Sequence, residues 1–222
     1  MPLTKDGIIP LLKLPLEYQE QPLDRKVEEF LQEAERRIQH FQHTENAPGF
    51  VPSDHRQLYH ALHYLVSTNA APGNLFCEWG SGFGVAACLA AMVGLQATGI
   101  EINQLLVDAA QQLATDFGLE VEFHCDSFIP QGSEKCFDTI EASGWLTTQA
   151  GSIREETGVS PDNFDVIFVY PWPGEERVME MLFERFAGAG ALLMTFLGRE
   201  GVHLHRKMVK PHRSSSRRQQ RH

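Results

Sequence analysis

The segment Leu75-Phe76-Cys77-Glu78-Trp79-Gly80-Ser81-Gly82-Phe83-Gly84 decides the fold, together with Ala97-Thr98-Gly99-Ile100-Glu101, whose acid lies seventeen residues beyond Gly84. The first begins as an apolar strand and ends in three glycines. An alanine-rich helix then runs from about Val85 to Val93. A strand, a glycine turn and a helix in this order form the opening of a βαβ unit. Glycine admits backbone conformations closed to other residues and lets a ligand approach main-chain amides, and the helix start adds positive potential. Glu101 then falls at the carboxyl end of the second strand, where a carboxylate can accept hydrogen bonds from both hydroxyls of a ribose. The pair predicts a nucleoside-cofactor site; the plain alternative is a tight turn with no ligand.

The glycine spacing separates two cofactor classes. A dinucleotide fingerprint requires glycine or alanine at position 85, but Val85 stands there and the third glycine comes one residue early, at Gly84. The pattern is E-x-G-x-G-x-G. It resembles motif I of the class I methyltransferases that use S-adenosyl-L-methionine, in which the leading acid, here Glu78, helps hold the methionine portion. The resemblance implies a cofactor set of Glu78, Gly80, Ser81, Gly82 and Gly84 in the turn, with Glu101 on the ribose. It also places Ile102 against the adenine face, and Asp126, Ser127 and Phe128 around the adenine edge and ring. Ile102 reads equally as strand-end core, and Asp126 or Ser127 as a helix N-cap.

Outward from this centre the periodicity repeats. Val27, Phe30, Leu31, Ala34, Ile38 and Phe41 recur at helical spacing within a helix expected over about 23–43, and a second helix is expected over 55–67, capped by Ser53 or Asp54. Asn103 caps a helix carrying Leu105, Leu106, Ala109, Ala110 and Leu113, and Gly118 stops it. Strands are expected at 75, 96, 120, 164 and 191, with a helix over 175–186. The alternation predicts an α/β, doubly wound, mostly parallel Rossmann-like sheet. Little chain follows Leu197, so the antiparallel sixth and seventh strands implied by the resemblance are expected to be abbreviated. The expected organisation is a helical extension over 1–70 packed on the core, the cofactor-binding domain over 71–205, and a basic, disordered tail over 206–222.

Composition narrows the partners. Residues 1–200 hold 12 of the 19 cations and all 29 acids, a balance of −17, whereas the remainder carries +7. Such a body repels phosphate backbones, so nucleic acid is disfavoured as its substrate and a cationic acceptor is favoured. The basic end is read as a solvated tail or as a contact for an acidic partner or nucleic acid. Cys77, Cys88, Cys125 and Cys136 form no C-x-x-C pair and read as buried thiols of a cytoplasmic protein. The apolar run Ile8–Leu16 is too short to span a membrane and is broken by Pro10, Lys13 and Pro15. The His40/His43 and His60/His63 pairs have metal-compatible spacing but no third ligand, so no metal is expected.

Tyr170-Pro171-Trp172-Pro173 follows the fourth strand, where amino-methylating members of the superfamily carry an Asp/Asn-Pro-Pro-aromatic motif. Tyr170 and Trp172 are the candidate catalytic side chains: prolines stiffen the backbone, and aromatic rings stabilise cations. Glu175 and Glu176 either attract a positive substrate or favour a helix start. The long connection over 129–163 is read as a helix with a loop that covers the pocket or as an insertion without contact. Phe50-Val51-Pro52 through Glu101-Ile102-Asn103, with the Tyr-Pro-Trp-Pro segment, is also similar to the mitochondrial lysine methyltransferases acting on the ATP synthase c-subunit and the adenine nucleotide translocase. Phe83 departs from that group, and its membrane-associating segment is missing. The resulting expectation is a methyltransferase acting by in-line displacement on an acceptor such as a protein lysine or a small molecule. The alternatives are a non-catalytic S-adenosylmethionine-binding sensor or scaffold and, disfavoured by Val85, a nicotinamide oxidoreductase. Nothing in the sequence fixes the oligomeric state.

Overall fold

A computed structural model describes residues 21–44, 55–133, 136, 159–198 and 201–208. Expectations for the loop over 46–52, for Ser53 or Asp54 as a cap, for most of the 129–163 connection and for the segment after Met208 lie outside the described residues, as does the Ile8–Leu16 run.

Helix α1 (Arg25–Thr44) buries Val27, Phe30, Leu31, Ala34 and Ile38. Asp24 accepts the Lys26 N–H at 2.8 Å, satisfying one of the donors that a helix start leaves without an intrahelical partner. Helix α2 (His55–Ser67) buries Leu58, Ala61, Leu62 and Leu65. Strand β1 (Leu75–Trp79), helix α3 (Val85–Met92) and strand β2 (Gln96–Glu101) form the first βαβ unit. Helix α4 (Gln104–Asp116) and strand β3 (Val121–Cys125) follow. A 3-10 turn, Pro161–Asn163, then leads into strand β4 (Val166–Val169), helix α5 (Glu176–Phe186), strand β5 (Leu192–Phe196) and strand β6 (Val202–Arg206).

The sheet order is β3-β2-β1-β4-β5-β6. Every pairing from β3 to β5 is parallel, and β6 runs antiparallel to β5. The expected parallel doubly wound sheet is therefore present, and its far edge carries one antiparallel strand among the described residues. Strands β4 and β5 are buried along their whole length, as sheets covered on both faces require.

Helices α1, α2 and α3 share one apolar cluster with Phe76, Phe168, Met194 and Phe196 of the sheet, while Val178, Met179, Leu182 and Phe183 of α5 join Trp79, Ile167 and Leu193 in a second. Helix α1 is fixed to α4 by a Phe30–Phe117 edge contact at 5.1 Å and by an Arg37–Asp116 ion pair at 2.6 Å. From β1 the chain moves outward to β2 and β3, then returns to pair β4 on the other side of β1. The connections leaving β1 and β4 thus part at the carboxyl end of the sheet, the switch point where open α/β sheets bind ligands.

Candidate functional site

The glycine turn fills that switch point. Gly80, Gly82 and Gly84 have φ of +70°, +51° and +67°, each in the left-handed region that side chains disfavour. Gly80 N–H and Ser81 N–H both donate to the Ile100 carbonyl at 2.9 Å, which locks the turn to β2. At Gly84 a Cβ would lie 2.3 Å from Phe123 Cε1. Crowding from β3 and backbone conformation therefore both demand glycine there.

Two carboxylates grip this turn from different sides. Glu101 Oε2 accepts the Gly82 N–H and its Oε1 accepts the Asn103 N–H, both at 2.9 Å. Asn103 has a double role, since its side chain caps α4 by accepting the Leu105 N–H at 3.0 Å. The E-x-N spacing carries that signal, although it reads in sequence only as a cap. Glu78 is sealed beneath the turn, where its Oε2 accepts the Ala87 N–H of α3 at 2.9 Å. Burial, with the Glu101 charge adding to it, pushes the Glu78 carboxyl up to about 8 despite opposing hydrogen bonds from Ala86 and Ala87. Desolvation, with the neighbouring Glu78 charge behind it, likewise raises the Cys88 thiol.

Ile102 is 54% exposed, so it is not strand-end core. Asp126 and Ser127 are buried after β3 and shape their own turn: Asp126 accepts the Ser127 N–H at 2.7 Å and Ser127 Oγ accepts the Ile129 N–H at 3.2 Å. The half-buried Phe128 stacks on Trp79 with ring centroids 5.4 Å apart and an interplanar angle of 10°. Its ring edge lies 3.8 Å from where a Gly80 Cβ would stand. Sequence periodicity gives no hint of this stack, because it joins the ends of two non-adjacent strands. Ser81 is buried, and its Oγ has no hydrogen-bond partner among the described residues.

The turn thus meets Glu101 through Gly82 and Phe128 through Gly80, and the Asp126 N–H donates to the Glu101 carbonyl at 2.9 Å. Tyr170 and Trp172 follow β4, whose Val169 pairs with Trp79 just before the glycine turn. Tyr170 is half-buried and meets Phe196 of β5 edge-on at 5.2 Å. Glu175 is buried at the N-cap of α5, and Glu176 accepts the Gly174 N–H at 2.9 Å, the helix-start role open to both.

Cys77, Cys88 and Cys136 are buried free thiols, but Cys125 is only half-buried, a correction that follows from its place at the end of the sheet-edge strand β3. Among the described residues no group of three His, Cys, Asp or Glu side chains is placed to hold a metal, and no helix is long and apolar enough to cross a membrane.

This is a Rossmann-like α/β fold. A putative O-methyltransferase from Klebsiella pneumoniae shares it with a TM-score of 0.52 and 14% identity over 87% of this chain and 94% of that one. Cofactor-bound Rv0187 from MTB shares it with a TM-score of 0.51 and 13% identity over 86% of this chain and 100% of that one. No family model matches the sequence, and neither does any curated protein. At identities this low the likeness shows the fold alone.

Proposed function

We propose that the chain is an S-adenosylmethionine-dependent methyltransferase. The observation that carries this reading is the Glu101 carboxylate, held against the glycine turn by the Gly82 N–H and flanked by the exposed Ile102. The residues fit the cofactor: the left-handed Gly80 leaves space where a Cβ would stand, an anchored carboxylate matches a ribose diol, and Ile102 and Phe128 offer apolar faces to an adenine. The names of the two structures with the same fold, an O-methyltransferase and a cofactor-bound protein, point in the same direction.

When bound, the sulfonium supplies an electrophilic methyl group that needs no further activation. The protein's work is then alignment and exclusion of water. In this reading Glu101 fixes the sugar, the turn holds the cofactor's chain, and Tyr170 and Trp172 line the acceptor side. The acidic body and these two aromatic rings favour an acceptor that is or becomes cationic, such as an amine.

Calorimetry with S-adenosylmethionine, with NAD as the control, tests the cofactor. Saturable binding of the former alone is expected, and preference for NAD sinks the reading. Transfer of labelled methyl to peptide and metabolite pools tests the chemistry; tight binding with no transfer in any pool would favour a sensor or scaffold.

A further inference from the structure

Glu78, which the resemblance puts near the methionine portion of the cofactor, accepts the Ala87 N–H of helix α3 and has surroundings unusual for an acid. It points from β1, between Gly99 of β2 and Phe168 of β4, neither of which bears a charge. From α3 it faces the amides of Ala86 and Ala87 and the thiol of Cys88, and from the end of β2 the carboxylate of Glu101. No cation belongs to this set. Among the described residues, an ionised Glu78 would thus be a buried anion beside a second anion, stabilised by helix-start amides.

We infer that Glu78 reads the charge of the bound cofactor: it carries a proton in the free protein and releases it to solvent when a cationic ligand settles on the glycine turn. This deepens the reading above and rests on it. Before transfer the cofactor bears a sulfonium, an ammonium and a carboxylate, a net positive charge. Afterwards the sulfur is a neutral thioether and the net charge is zero. A cation brought to the turn offsets the repulsion from Glu101 and lets Glu78 ionise, so cofactor binding and proton release become linked. The neutral product does this less. Discrimination between cofactor and product then grows as Glu78 becomes free to ionise, which favours product release. The value of about 8 places the effect in the accessible range.

Calorimetric titration of the full chain with S-adenosylmethionine and with S-adenosylhomocysteine, in buffers of different ionisation enthalpy, counts the protons released. Near pH 7, release of roughly half a proton or more is expected with the first ligand and distinctly less with the second. Affinity for the first should tighten about tenfold between pH 7 and pH 9 if ligation lowers the Glu78 value by about two units. Glu78→Gln should abolish both the release and the pH dependence of whatever affinity it retains. Binding without proton release, equal release with both ligands, or release that persists in Glu78→Gln overturns the inference and leaves the cofactor reading intact. Failure of both ligands to bind overturns that reading as well. If the variant does not fold, the comparison of the two ligands on the unaltered protein decides.

Discussion

Glu101 Oε2 accepts the Gly82 N–H while Oε1 of the same carboxylate accepts the Asn103 N–H, each at 2.9 Å. One side chain therefore joins the end of β2 to the turn after β1 and to the first turn of α4. Its orientation is set before any ligand arrives, and each oxygen keeps a lone pair for a hydroxyl. Truncation to alanine removes the acceptor for the ribose together with the brace on the turn. Glu101→Ala should weaken S-adenosylmethionine binding by about 100-fold, the scale of two lost hydrogen bonds to a charged group. Glu101→Gln should recover little, because its amide NH2 must face one of the two backbone N–H donors. Calorimetry reads both, and affinity within twofold of the parent for Glu101→Ala removes the ribose assignment.

Gly84 and Gly99 meet the same aromatic ring for different reasons. A Cβ at Gly84 would lie 2.3 Å from Phe123 Cε1, and one at Gly99 would lie 2.6 Å from Phe123 Cδ1 and 2.9 Å from Ser81 Oγ. Only Gly84 also has positive φ, at +67°. Both alanine variants should lose about 2–4 kcal/mol of stability through overpacking. A second substitution, Phe123→Leu, separates them: it should restore much of the loss in Gly99→Ala but only part in Gly84→Ala, where backbone strain persists. Chemical denaturation of the four variants checks this, and equal recovery would show that φ is unimportant at position 84.

The glycine turn and the elements around it are largely legible in the sequence because their signals are local. The span of α2, the Asn103 cap, the stop at Gly118 and the alternation of apolar strands with amphipathic helices arise from neighbours within a few residues. Strand four is the instructive case. Its apolar run, 164–170, is longer than the ladder, Val166–Val169, because Phe164 closes the Pro161–Asn163 turn and the Asp165 side chain accepts the Leu75 N–H at 3.0 Å. Strand β6 has the opposite problem. Its sequence, Val-His-Leu-His-Arg, alternates weakly, and pairing with β5 rather than local pattern makes it a strand. The burial of Glu78 and the stack of Trp79 on Phe128 are equally invisible, since each depends on elements brought together by the sheet order.

Trp172 offers the cleanest separation of binding from transfer. It follows β4, whereas the residues proposed for the cofactor lie at the ends of β1, β2 and β3. Tyr170 is less suitable for the test, because its contact with Phe196 ties it to the core. Trp172→Ala should reduce methyl transfer at least tenfold once an acceptor is in hand, with the cofactor dissociation constant changed less than twofold. Equal loss of cofactor affinity and turnover would move Trp172 into the cofactor pocket.

Glu78 also makes fold stability depend on pH in a direction opposite to that of a salt-bridged acid. Its carboxyl titrates near 8 in the folded chain against an ordinary 4.5, so between these values the folded state binds the extra proton. Stability from this group is fully present below pH 4.5, declines as pH rises through that window, and levels off above 8. The cumulative loss is of the order of a few kcal/mol at most, because relaxation and water entry soften the burial of the anion. Glu78→Gln keeps the acceptor for the Ala87 N–H without the titration, so its advantage over the parent should be larger at pH 8.5 than at pH 5. Urea denaturation of both proteins across that range measures the difference. A parent-to-variant gap that is constant with pH would mean that Glu78 ionises as readily in the folded chain as in the unfolded one, and that its burial costs nothing in charge.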